Sequence, residues 1–109
     1  MARTILDIPL RGDPAAADSV VKTILINDGY RDVPYNAEIV WKKGTGMMTA
    51  MHYIKVEYMG NVLRLSGWVQ IGVGALGGKE RDLSGFTATV PKKSVKKTME
   101  KIQAAVAGM

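Results

Sequence analysis

The glycine-rich stretch 72-80, GVGALGGKE, carries the clearest resemblance to a nucleotide-binding motif in this sequence. Its first six residues fit the dinucleotide-binding pattern G-x-G-x-x-G, and a Gly-Lys pair follows, as in a P-loop. The residues that could contact a ligand here are Gly72, Gly74, Gly77, Gly78 and Lys79.

The surrounding residues argue against both nucleotide sites. A dinucleotide site needs a helix that begins at the third glycine, between two parallel strands, but no uninterrupted helical pattern follows Gly77 before Pro91. A P-loop needs glycine where Val73 stands and a magnesium-binding hydroxyl where Glu80 stands. We therefore expect a loop that leaves a strand end. Contact between its backbone N–H groups and some other ligand is the alternative.

A cluster of methionines beside the single histidine has the ligand types of a copper(I) site. Thioether and imidazole groups suit that ion, and Met47, Met48, Met51 and His52 lie close together. Methionine also fills irregular gaps in a core, and His52 shares its alternation with the apolar residues that follow it. We therefore expect His52 at the edge of the core and predict no metal site.

Carboxylates offer the remaining candidates for catalysis. Glu38 and Glu57 could approach each other across strands, and Glu80 and Asp82 lie near glycines, so an acid/base pair is conceivable. A pair in a pocket with a raised pKa would indicate an enzyme. The chain has no cysteine, and no serine stands in a G-x-S-x-G motif. We therefore predict a protein that is not an enzyme and that needs no cofactor.

Aromatic and basic residues share one face of the predicted strands. Alternation places Tyr53, Lys55, Arg64 and Trp68 together, and such a face can either form a subunit interface or stack nucleic-acid bases. A monomer would leave these aromatic rings in water. We predict a homodimer or partner-protein contact centred on Trp68, with nucleic acid as the less favoured alternative.

Five lysines lie between residues 92 and 101. The segment has no arginine and no interleaved aromatic residue, so we interpret it as a solvated helix face rather than a nucleic-acid or membrane-binding patch.

Composition places the chain among ordinary globular proteins. With 109 residues, 47% of them hydrophobic and 23% charged, it is long enough for one core and far from the disordered class. We predict a single α+β domain over residues 1-109. The sequence shows no secretory signal pattern and no apolar run that could span a membrane, so we expect a cytoplasmic protein with no membrane partner.

The first half of the chain predicts a strand, a helix and a hairpin. TILDI, residues 4-8, is typical of a short strand. Asp13 and Pro14 mark a helix start as N-cap and first helical residue, and Gly29 marks its end. YRDVPY and EIVWKK then predict two strands joined near residues 36-37, with Pro34 in an edge or irregular strand.

The second half predicts a stronger hairpin and a final helix. HYIKVEYM and NVLRLSGWVQI alternate apolar and polar residues around the turn Gly60-Asn61. A last helix follows, whose apolar stripe consists of Val95, Met99, Ile102 and Val106. The fold class is therefore α+β, an antiparallel sheet with two helices packed on one face. This element order is similar to the TATA-binding-protein-like fold and to helix-grip proteins.

The stretch NAEIVWKKGTGMMTAMHYIKVEY, followed by LSGWVQI and by KERDLSGF, resembles an uncharacterised small bacterial domain. That domain sometimes occurs next to a zinc ribbon, which this chain lacks because it has no cysteine. The resemblance covers roughly residues 30-95 and implies a small cytoplasmic bacterial domain with no active site to transfer. A helix-grip arrangement implies the alternative function, binding of an apolar ligand in a cavity between sheet and helices that Met51 and Met59 would line.

Overall fold

The computed structural model describes residues 3-35, 37-43, 51-71, 79-81 and 89-109. Within these ranges the chain forms six strands and two helices. They are β1 (Thr4–Pro9), α1 (Pro14–Asn27), β2 (Arg31–Tyr35), β3 (Glu38–Lys43), β4 (Met51–Met59), β5 (Val62–Ile71), β6 (Lys79–Arg81) and α2 (Thr89–Ala107).

All of the described strands belong to one antiparallel sheet, in the order β1-β5-β4-β3-β2. The short strand β6 pairs with the end of β5. Because β4 occupies one side of β5 along most of its length, β1 and β6 lie end to end on its other side. Among the described strands, β1 and β2 therefore form the two outer edges.

The first helix begins and ends where its sequence signals predict. The Asp13 carboxylate accepts a hydrogen bond from the N–H of Ala15 at 3.1 Å, with Pro14 in the first turn. At the other end Gly29 has φ of +92°, a left-handed conformation that costs glycine little. A strong N-cap is worth about 1 kcal/mol, so these local signals determine where the helix begins and ends.

The two predicted hairpins are confirmed. Gly60 has φ of +59°, as the first residue of a primed turn requires, and the register pairs Met59 with Val62 across it. In the other hairpin Ala37 takes the positive φ, at +67°. Pro34 lies in β2, an edge strand of the described sheet. Its missing N–H would lie on the outer side, so the hydrogen bonds between β2 and β3 are kept.

One core lies between the sheet and both helices, which confirms the α+β fold class. All four residues of the predicted α2 stripe are buried, with Val95 and Ile102 at 0% exposure. They pack against Leu63, Leu65 and Val69 of β5 and against the apolar face of α1.

The helices are also joined by polar contacts at the C-cap of α1. The Thr98 hydroxyl donates to the Asp28 carboxylate at 2.6 Å, and the Lys101 ammonium contacts the same carboxylate at 2.9 Å. Burial works to raise the pKa of Asp28, but these hydrogen bonds outweigh it and hold that pKa below its usual range. The lysine-rich face of α2 is therefore only partly solvated, because Lys101 pairs with Asp28 and Lys92 is buried.

Candidate functional site

The predicted interaction residues lie on the sheet face opposite the helices, as alternation indicates, but two of them are buried within the chain. Tyr53 and Trp68 are cross-strand partners whose rings stack with centroids 5.2 Å apart. Their exposed fractions are 3% and 0%, and they form a second apolar cluster with Val40. The expectation that a monomer leaves these rings in water is therefore wrong. Alternation identifies the face of a side chain but not what covers it.

Arg3 covers part of this cluster. Its guanidinium carbon lies 3.8 Å from the centroid of the Trp68 ring, and its two terminal nitrogens donate to the Glu38 carboxylate at 3.2 and 3.0 Å. The side chain therefore spans the sheet from the β1 end to β3. Nothing in the spacing of the sequence signals this contact, because Arg3 and Glu38 lie in different elements.

The carboxylates that could form an acid/base pair are joined through a lysine. The Lys55 ammonium lies 2.8 Å from a Glu38 oxygen and 3.7 Å from a Glu57 oxygen. Hydrogen bonds from Arg3 and Lys55 lower the pKa of Glu38 to about 2. A general acid needs the opposite shift, so this cluster holds fixed charges rather than an exchangeable proton. The side chains of Glu80 and Asp82 lie outside the described residues.

The fourth predicted surface residue, Arg64, is engaged with β1. Its Nε and one terminal nitrogen donate to the two Asp7 oxygens at 2.8 and 3.0 Å. This two-pronged contact neutralises the one acidic side chain of β1. Lys55 is also paired, so both basic residues predicted for this surface contact neighbouring carboxylates, and the rings of Tyr53 and Trp68 are buried.

The methionines expected in a ligand cavity lie elsewhere. Met51 belongs to the Tyr53 side of the sheet, where its sulfur lies 3.5 Å from the Tyr53 hydroxyl, and Met59 is 43% exposed at a strand end. Neither lies between sheet and helices, so the expectation that they line a helix-grip cavity is wrong. Among the described residues, Met99 is the methionine of that core.

His52 lies opposite Lys43 and Val69 in the sheet register and is half-buried, at the core edge that alternation predicts. Within the described ranges, no group of three or more His, Cys, Asp or Glu side chains is arranged to hold a metal ion.

The glycines of the predicted ligand loop, Gly72, Gly74, Gly77 and Gly78, lie outside the described residues. Lys79 begins β6, with Ile71 as its partner. The sequence did not predict this strand, because three residues are too few to show a period.

Among the described strands, none pairs with the outer side of β1, a feature that the sequence patterns do not predict. Leu10 donates its N–H to the Asn61 carbonyl at 2.7 Å, which sets the phase of the β1–β5 ladder. Antiparallel residues alternate between groups that face the partner and groups that face away. The N–H groups of Ile5 and Asp7 therefore point outward. Pro9 has the same phase, so the backbone N–H that proline lacks would also have pointed outward.

A groove of about 330 Å³ runs between this edge and α2. Leu6 and Met99 are among its apolar residues, and Lys96, Glu100 and Gln103 of α2 also line it. Ile5, which lines the groove as well, is 55% exposed. Among the described residues, this edge thus combines the outward-facing backbone groups of Ile5 and Asp7 with apolar side chains.

The opposite edge is better protected. β2 carries Pro34 near its middle and the charged pair Arg31 and Asp32 at its start. Proline and charge are common devices that prevent strand addition. Beside β2 lies a second groove of about 450 Å³, lined by Ile26, Gly29, Tyr30, Arg31, Asp32 and Trp41.

Comparison of the chain with protein-family models, curated proteins and solved structures finds no match. The resemblance to a small bacterial domain therefore stays a prediction. In the part of the chain that the structure describes, neither helix is long and apolar enough to cross a bilayer.

Proposed function

We propose that this chain is a non-enzymatic protein-interaction module that adds a strand of a partner to the free edge of β1. The observation that carries the proposal is the outward phase of Ile5 and Asp7 beside the β1–α2 groove. Strand addition uses such an edge for main-chain hydrogen bonds and uses adjoining pockets for side chains.

The difference between the two sheet edges supports this choice of site. β2 carries charge and a proline near its middle, whereas the proline of β1 is its last residue and the acidic group of β1 is already neutralised by Arg64. An unprotected edge is usually either covered or used. The buried state of Trp68 removes the main reason to place the interaction on the open sheet face.

Residue-resolved amide hydrogen exchange tests the proposal. In dilute protein, the amides of Ile5 and Asp7 should exchange rapidly, while those of Leu6 and Ile8, which face β5, stay protected. The neighbouring residues serve as internal controls for strand stability. Protection of Ile5 and Asp7 equal to that of Leu6 and Ile8 in a demonstrated monomer would overturn the proposal, because the edge would then be covered within the chain.

An apolar small molecule is a second candidate partner, at the groove beside β2. Trp41 is half-buried in this groove, and Ile26 is 61% exposed. The groove volume of about 450 Å³ is within the range of small-ligand sites. Titration with 1-anilinonaphthalene-8-sulfonate should raise the dye fluorescence in wild type and much less in Trp41→Ala. Ile5→Ala is the matched control at the other groove. Equal signals from all three proteins would exclude this site.

A further inference from the structure

We infer that the strand added to β1 is β1 of a second copy of this chain, in a two-fold dimer whose axis passes beside Ile5. This inference rests on the proposed function, since it names the partner for the same edge. The added strand runs antiparallel to β1, as a two-fold axis perpendicular to the sheet requires.

The phase of the outward groups selects the register. An axis at Ile5 sets this residue opposite Ile5 of the partner subunit and sets Arg3 opposite Asp7 of the partner subunit. The two exposed isoleucines then cover each other. An axis at Leu6 would instead place each Ile5 against the partner subunit's Asp7, a carboxylate that Arg64 already holds. The first register therefore pairs the two exposed isoleucines and sets each Asp7 beside a basic residue.

The groove has the same centre as this register. Its β1 residues are Thr4, Ile5 and Leu6, so Ile5 is the middle one. Two copies joined at Ile5 bring their two grooves together on the helix side of the sheet. Leu6 and Met99 of each copy are then shielded from water by the other.

The charges on the two α2 helices of the dimer are complementary across this axis. Lys96 and Glu100 both line the groove and are both exposed. A two-fold axis makes the two α2 helices antiparallel. The groove residues nearer the N-terminus of α2 in one copy therefore face those nearer the C-terminus of α2 in the other. Lys96 of each copy then lies within reach of the partner subunit's Glu100, which gives two equivalent ion pairs. Such pairs fix register and orientation more than they add affinity.

Sedimentation equilibrium on charge-reversal variants tests this arrangement. Wild type should dimerise. Lys96→Glu and Glu100→Lys should each weaken the dimer by about tenfold, because each turns two attractive pairs into two repulsive ones. An equimolar mixture of the two variants should dimerise nearly as well as wild type, since both cross-axis pairs in the heterodimer are again attractive. Lys93→Glu, an exposed α2 residue outside the groove lining, is the control and should leave the dimer unchanged.

Rescue by mixing cannot arise from a simple loss of folding. A monomeric wild type whose Ile5 and Asp7 amides exchange freely would overturn the second-copy inference and leave strand addition standing. A monomer with those amides protected would overturn both. A dimer that resists Ile5→Pro would place the contact elsewhere on the molecule. A dimer that is lost in Ile5→Pro but unaffected by either charge reversal would overturn the proposed register.

Discussion

The Arg3 guanidinium lies 3.8 Å from the Trp68 ring centroid. The same guanidinium donates two hydrogen bonds to Glu38 across the sheet. A residue just before the first strand therefore links β1, β5 and β3 on the face that carries no helix. Trp68 has no exposed surface, so this contact lies in a dry environment where charge–ring attraction is strongest.

Replacement of Arg3 by alanine should destabilise the fold by about 2 kcal/mol, because it removes both the ring contact and the two-pronged ion pair. Lysine should restore only part of the loss, since it cannot form the planar double contact. Urea unfolding followed by circular dichroism measures both variants. Arg11→Ala, at an exposed position in the connection before α1, is the matched control and should stay within about 0.5 kcal/mol of wild type. Equal effects at both arginines would contradict the account.

Acid should weaken the fold through Glu38. Hydrogen bonds from Arg3 and Lys55 lower the pKa of this group from 4.5 to about 2 in the folded chain. Because the pKa of Glu38 is lower in the folded chain than in the unfolded chain, its ionised form stabilises the fold above about pH 4.5. This stabilisation is lost as the pH falls from about 4.5 to about 2. The contribution is roughly 1–2 kcal/mol after solvent screening.

The measurement is the difference in unfolding free energy between wild type and Glu38→Gln as a function of pH. It should be largest near neutral pH and shrink through that acid window. The subtraction matters because Asp7, Asp18 and Asp28 also have lowered pKa values. A difference that does not change with pH would show that the Glu38 charge is not linked to folding.

The two tryptophans should differ in fluorescence. Trp68 has no exposed surface, whereas Trp41 is half-buried beside a groove. Trp41→Phe should therefore leave a blue-shifted emission that acrylamide quenches weakly, and Trp68→Phe should leave a red-shifted emission that quenches readily. The reverse order would mean that the outer sheet face is open in solution.

Thr98→Val should cost about 1–2 kcal/mol, because it leaves the partly buried Asp28 without its shortest hydrogen bond. Valine keeps the shape of the side chain, so the loss reports the hydroxyl. Thr23→Val, in an exposed helical position with a hydroxyl bonded to the Ser19 carbonyl, is the matched control and should cost much less. Thermal unfolding of both variants makes the comparison.

Local signals in the sequence were sufficient for the fold class. The cap at Asp13, the left-handed Gly29 and the turn at Gly60 each act within a few residues, and alternation assigned the faces of β4 and β5 correctly. The sequence did not predict β6, because three residues are too few to show a period. It also did not predict that β1 lies at an edge, because strand order depends on long-range pairing.

The candidate site was harder to predict for the same reason. The face of Trp68 follows from alternation, but its burial depends on Arg3, Val40 and Tyr53, which come from three different elements. Likewise the pKa of Glu38 depends on Arg3 and Lys55, and nothing in the sequence places either beside it. Contacts of this kind depend on long-range pairing, which local sequence patterns do not encode.

Sedimentation equilibrium of Ile5→Pro beside Ile5→Val is the decisive measurement for pairing of β1 with β1 of a second copy. Proline removes the outward N–H of β1 without touching the hydrogen bonds to β5, and valine keeps that N–H with a similar apolar, β-branched side chain. The account predicts that wild type and Ile5→Val are dimers and that Ile5→Pro is a folded monomer. A wild-type monomer, or a dimer of equal strength in Ile5→Pro, would contradict it.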